Sequence, residues 1–149
     1  SRQEAADGYR PPPTLVQMPG GEKLNWPTWG DVTAPFGWSR GHGAYHNGLD
    51  IANSRGTPIY AAAAGEVVTA GWGGLGWYVV IDHGNGFRTE YGHLNSEPFV
   101  VEGEQVERGE RIGSMGDSFG PGGYVTGVHL HFSVRHRGVY IDPLPLINN

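Results

Sequence analysis

The sequence predicts an all-β fold: a single domain rich in antiparallel sheet, with little helix. Three observations carry this. Gly (26) and Pro (11) punctuate the whole chain, so almost no segment is long and periodic enough for a typical helix. The longest stretch free of both, residues 128–137, is ten residues long and alternates apolar with polar side chains, the period of a strand. The chain also carries 5 Trp, 7 Tyr and 5 Phe. Those aromatics supply a core that a merely Gly/Pro-rich, disordered composition would lack.

The elements follow in chain order. Residues 1–21 hold Pro11-Pro12-Pro13, which favours an extended conformation, and close on Gly20-Gly21. They are expected to be a linker or N-terminal extension, one that could join a further domain. The domain itself is expected over 22–149, with folded structure beginning near Leu24. Trp26 to Phe36 is rich in Pro and aromatics and should pack across the surface. Thr57–Ala63 and Gly65–Ala70 read as short strands about a turn. Trp77–Asp82 and Phe87–Leu94 are joined by Gly84-Asn85-Gly86, residues that tolerate positive φ and so predict a hairpin. Gln105-Val106 and Arg111-Ile112 flank a turn at Arg108-Gly109. The last strands are 128–135 and 139–141.

Composition excludes several functions. There is no cysteine, hence no disulfide framework, thiolate nucleophile or thiolate metal site. Any zinc must be held by His, Asp or Glu. The net charge is −5 with a single lysine, Lys23, and no basic stripe of the kind a nucleic-acid binder presents. Glu97, Glu102, Glu104, Glu107 and Glu110 form an acidic run that reads as a solvated face. No apolar run approaches the 18 or so residues of a membrane span. The opening SRQEAADGYR is polar, unlike a signal peptide.

The chemistry concentrates in histidines. In GVHLHFSV, residues 127–134, Val128, Leu130, Phe132 and Val134 alternate with His129, His131 and Ser133. Two imidazoles therefore share one strand face, about 7 Å apart. Earlier comes His46-Asn47-Gly48-Leu49-Asp50. On a straight strand His46 and Asp50 would lie about 13 Å apart, but Asn-Gly is a turn dipeptide that can bring both side chains to one point. His46, Asp50 and one of His129 and His131 make the three-ligand His/carboxylate set common in catalytic zinc sites. The remaining histidine would stand beside the metal, placed to move a proton. Spacing alone does not say which is which. In Tyr91-Gly92-His93-Leu94, a regular strand would put His93 on the face of Phe87, Thr89 and Tyr91, beside the same site. His83 reads as structural; His42 and His136 read as solvated.

These phrases together resemble one family. FGWSR, HNGLDIA, GTPIYAAAAGEV, EYGHL, GERIGSMG and TGVHLHFSV occur in the order found in the lysostaphin and LytM-type zinc metallopeptidases, bacterial peptidoglycan endopeptidases. The resemblance covers about residues 24–143. It implies a large antiparallel sheet with a groove over one zinc ion per chain, ligated by His46, Asp50 and His131. It implies His93 and His129 as catalytic residues beside a zinc-activated water. It also implies peptide cross-links, stem peptides or bridge peptides of peptidoglycan as substrate, and an extracytoplasmic location.

Two features depart from the family pattern. The loop GDSFGPGGYVTG, 116–127, is longer than usual before HLH and should sit at the groove rim. Ser133 stands where many relatives have Glu. Trp38, Tyr45 and Tyr124 are candidates to line the substrate groove, as is Trp72. The alternative is a catalytically silent LytM-like regulator that binds and activates another wall hydrolase; some family members have lost catalytic residues, whereas all five are present here. A lipoyl- or biotinyl-carrier domain is excluded, because Lys23 lies in no hairpin turn.

Overall fold

The computed structural model describes residues 18–39 and 44–148, residues 38, 39 and 44 by backbone alone. His42 and the first 17 residues lie outside the described residues, as does the Trp38 side chain. Among the described residues twelve strands form: β1 (Asp31–Ala34), β2 (Gly37–Ser39), β3 (Ala44–His46), β4 (Leu49–Ala52), β5 (Pro58–Tyr60), β6 (Gly65–Gly73), β7 (Gly76–Gly84), β8 (Phe87–Leu94), β9 (Gln105–Val106), β10 (Arg111–Ser114), β11 (His129–His136) and β12 (Val139–Ile141). The only helical elements among the described residues are two 3-10 turns, at Pro19–Gly21 and Leu144–Leu146. No described helix is long and apolar enough to cross a membrane.

The main sheet runs β1-β4-β11-β8-β7-β6-β9, with β12 also paired to β11. Every strand pair in it is antiparallel. The β7–β8 hairpin closes on Asn85-Gly86, with φ of 56° and 84°. Positive φ at both turn residues matches the twist of the flanking strands.

One face of the sheet is oily: Leu49, Ile51, Val67, Val79, Ile81, Phe87, Leu130, Phe132 and Val134 are buried there. Each fully buried Leu, Ile or Phe is worth about 1.5–3 kcal/mol. Ile59 of β5, Ile112 of β10, Leu24 and Ile147 belong to the same core. Tyr91 is fully buried, and its hydroxyl accepts from the Ala62 amide at 3.0 Å and bonds Thr89 Oγ1 at 2.7 Å. Burial pushes this phenol up to about 12.

Several expected elements differ in extent or partner. Met18 is already buried in the core, six residues before Leu24, and lines a small cavity with Ala63, Ala64 and His83; Leu24 itself bridges Ile147. Trp26 and Trp29 are exposed, and the segment that follows joins the sheet as edge strand β1. Thr57–Ala63 contracts to β5, which pairs with β10 rather than with the next strand. The strands flanking Arg108-Gly109 diverge, β9 to β6 and β10 to β5, because Gly109 donates to the Ala61 carbonyl. His136 is not simply solvated; its ring stacks on Phe87 at 4.3 Å.

His83 is held between strands, with Nδ1 2.7 Å from the Ala64 carbonyl and Nε2 2.7 Å from Thr89 Oγ1. Burial holds its pKa below the ordinary value, against the pull of the Ala64 carbonyl and Asp82. A histidine depressed in the folded state contributes full stability above its unfolded pKa of about 6.5, and loses it as pH falls towards the folded value. Burial shifts His136 the same way. The chain should therefore melt lower at about pH 5.5 than at about pH 7.5. Thermal melts of His83→Gln should show a narrower gap than wild type; an unchanged gap would assign the effect elsewhere.

Candidate metal centre

The site lies on the other face of the sheet, where β3, β4, β8 and β11 meet. In β11, His129, His131 and Ser133 alternate with buried Leu130, Phe132 and Val134. His131 pairs with Asp50 of β4. The Asn47-Gly48 turn between β3 and β4 swings His46 back over Asp50. His46 Nε2 lies 3.3 Å from Asp50 Oδ1, and His131 Nδ1 lies 3.0 Å from the same oxygen. Ligand atoms of the three residues all fall within 4.8 Å of one another. Tetrahedral zinc with bonds of about 2.0–2.2 Å separates its ligands by about 3.3–3.5 Å, so the donor set fits zinc in both chemistry and spacing.

The other ring nitrogens are occupied in a way that suits this. His46 Nδ1–H donates to the Pro35 carbonyl at 2.9 Å, turning Nε2 inward. His131 Nε2–H donates to Asn47 Oδ1 at 2.9 Å, turning Nδ1 inward. Such outer partners fix the tautomer and orientation of metal-binding histidines. Burial alone would push the Asp50 carboxyl up, but the His131 hydrogen bond and the fields of His129, His131 and His46 hold it below the ordinary value.

The other two histidines follow the same logic. His129 Nδ1–H donates to the Gly127 carbonyl at 2.9 Å, and its Nε2 lies 3.6 Å from Asp50 Oδ2. His93 Nδ1–H donates to the Ser118 carbonyl at 2.7 Å, leaving Nε2 without a partner among the described residues. The His93 ring sits edge-on to His129 at 4.9 Å and to His131 at 6.0 Å. Burial holds the His93 pKa below the ordinary value, and neighbouring His129 and His131 add to this.

His93 reaches the site by a route the alternation does not show. Phe87, Thr89 and Tyr91 are all fully buried, so a regular strand would bury His93 with them. Instead His93 has φ of 64°, and the register with β7 shifts between Trp77–Leu94 and Val79–Tyr91. This bulge turns His93 to the site face and Leu94 into the core. A non-glycine residue in the left-handed region costs about 1–3 kcal/mol, and such strain concentrates at functional sites.

A cleft of about 570 Å³ opens over these residues. Tyr45 and Tyr124 line it, as do Gly123, Val125 and Thr126 of the 116–127 loop. Trp72 does not; it packs edge-on against Trp77, its cross-strand partner, at 5.3 Å. Sequence reasoning missed Asn47, read only as a turn residue, and Ser118, whose carbonyl orients His93. Ser118 also receives the Trp77 amide at 3.0 Å and donates to the Leu94 carbonyl.

Gly48 is required by close approach. A Cβ there would stand 2.6 Å from the Phe132 carbonyl oxygen and 3.0 Å from His131 Cε1 and Nε2. Gly48→Ala is expected to destabilise the fold by about 1–3 kcal/mol and to weaken zinc binding about 10- to 100-fold. Thermal melts and a zinc competition titration would check both.

Comparisons with known proteins place the chain among related sequences and structures. The chain is 40% identical over 121 residues to an uncharacterised lipoprotein, YgeR, of Escherichia coli, across 80% of this chain and 45% of that protein. It is 47% identical over 96 residues to the peptidoglycan DD-endopeptidase ShyA of Vibrio cholerae, across 64% of this chain and 21% of that protein. It is 36% identical over 121 residues to the murein hydrolase activator NlpD of Escherichia coli, across 80% and 30%. The chain thus spans less than half the length of these curated relatives.

Among solved structures, a zinc-containing peptidase from Vibrio cholerae superposes with a TM-score of 0.71 at 30% identity, over 83% of this chain and 40% of that one. The catalytic domain of lysostaphin from Staphylococcus simulans superposes with a TM-score of 0.63 at 32% identity, over 78% and 88%. The sequence model of Peptidase family M23 matches residues 44–143, which hold every histidine and carboxylate of the site just described. By that match the chain belongs to Peptidase family M23, the lysostaphin- and LytM-type peptidases.

Proposed function

We propose that this chain is a zinc-dependent endopeptidase that hydrolyses peptide cross-links, or stem and bridge peptides, of bacterial peptidoglycan. The observation that carries the reading is the set of four imidazoles. Each has one nitrogen tied to a carbonyl and the other turned to one centre beside Asp50. His46, Asp50 and His131 hold one zinc ion. The zinc, when bound, supplies Lewis-acid polarisation and a water acidic enough to act as nucleophile near neutral pH.

His93 and His129 are the catalytic residues. Their tautomers are set by the Ser118 and Gly127 carbonyls, so each offers Nε2 to the cleft. His93, held below its ordinary pKa, is the free base at neutral pH and can accept a proton from the attacking water. Either ring can return a proton to the leaving amine. Tyr45 and Tyr124 border the substrate groove; Trp38 is assigned to it on sequence grounds. The peptidase domain spans 22–149, with residues 1–21 a linker or N-terminal extension. The protein works outside the cytoplasm, in line with the lipoprotein naming of its relatives.

A second reading, an activator of another wall hydrolase, is favoured by the similarity to NlpD. Digestion of two purified walls, one glycine-bridged and one directly cross-linked, tests the choice. The endopeptidase reading expects new amino termini from one wall, identified by mass and absent with His131→Ala. No cleavage of either wall by zinc-loaded protein would favour the activator.

A further inference from the structure

The strand that carries the metal-site histidines continues past them on the same face to Arg135. Arg135 lies four positions beyond His131, about 13 Å along the strand. Directly opposite Arg135 on β8 stands Arg88. Like charges directly opposite in a sheet are destabilising, and each arginine here is paired with one carboxylate. Arg88 Nε donates to Asp82 Oδ2 at 3.2 Å, and Arg135 Nη1 donates to Glu90 Oε2 at 3.1 Å. Arg135 Nε is buried with no acceptor. Arg135 Nη2 and both Arg88 Nη atoms have none among the described residues.

Glu90 is an anchor rather than a ligand-binding group. It is 5% exposed, and its carboxylate receives Ser133 Oγ at 2.9 Å, Tyr140 OH at 3.0 Å and Arg135. It stands opposite Ser133 on β11. Arg135 is thus held by one edge on Glu90 and by one face over the Tyr140 ring, at 5.4 Å. Both arginines line a groove of about 550 Å³. That groove shares Gly74, Leu75, Glu90, Gly123 and Tyr140 with the cleft over the metal centre.

We propose that this groove is a carboxylate subsite, in which Arg135 and Arg88 grip a free carboxyl group of the peptide a few residues from the scissile bond. The free Nη donors of the two guanidinium groups suit a carboxylate entering the groove they line. A merely structural Arg135–Glu90 pair does not need a second arginine directly opposite. The identity of the peptide rests on the endopeptidase reading; the subsite itself does not.

The test is a calorimetric titration of the full chain with a wall stem tetrapeptide, its carboxyls free or amidated, with cleavage of the matching cross-linked peptides followed separately by mass. The wild type should bind the free acid about tenfold or more tightly than the amide. Arg135→Gln and Arg88→Gln should each shrink that ratio to within about twofold. Arg88→Gln leaves all three donors to buried Glu90 in place, so its result stands if Arg135→Gln fails to fold. Equal binding of acid and amide, or binding of neither, overturns the subsite whether or not the peptides are cleaved. A preference for the acid that both variants lose, without any cleavage, keeps the subsite and overturns the peptidase reading.

Discussion

His131→Ala is expected to lose both the zinc and the activity. The ring is one of the three protein ligands proposed for the metal, and its Nδ1 lies 3.0 Å from Asp50 Oδ1. Disturbing an outer partner of a metal-binding histidine typically costs 10- to 100-fold in affinity or activity, so removing the ligand itself should cost more than about 100-fold. The substitution also strands Asn47 Oδ1, which now accepts from His131. Metal content after dialysis, measured beside wall digestion, checks this: near-stoichiometric zinc in the variant would remove His131 from the ligand set.

His93→Ala and His129→Ala should behave differently from His131→Ala and like each other. Both rings face the centre, yet His93 comes from β8 with its Nδ1 held by Ser118, and His129 Nε2 lies 3.6 Å from the nearer Asp50 oxygen. Removing a positioned acid or base typically costs about 10²–10⁴ in rate. Each variant should lose activity on that scale while keeping most of its zinc. Equal loss of zinc in all three variants would overturn this division of roles.

How much of this was legible in the sequence depends on how local the signal was. The alternation of GVHLHFSV fixes which residues of β11 face the site, and Asn47-Gly48 announces the bend that returns His46 to Asp50. Both are short-range patterns with one physical solution. His93 was found through its motif, but the face assigned to it was wrong in mechanism: alternation buries it beside Tyr91, and only the bulge at φ 64° brings it out. A bulge depends on the pairing with β7, which no single strand encodes. Asn47, Ser118 and Glu90 act through partners 84, 25 and 43 residues away, and nothing in their immediate neighbours marks them. For the same reason the β7–β8 hairpin was readable from Asn85-Gly86, whereas the pairing of β5 with β10 was not.

Trp72 illustrates the limit of composition. An exposed tryptophan near a groove is a reasonable contact for a peptide, but its cross-strand partner Trp77 already occupies one edge of its ring. Tyr45 and Tyr124, equally plain in the sequence, do border the cleft.

The most direct test is to incubate a purified, defined cross-linked muropeptide dimer with the zinc-loaded chain alone, no other hydrolase present, and to follow its mass. The account predicts addition of one water and release of two monomers bearing a new amino terminus, with the rate about 10²–10⁴ lower in His93→Ala. An intact set of glycine-bridged and directly cross-linked dimers, under conditions where the chain holds one zinc, would contradict it.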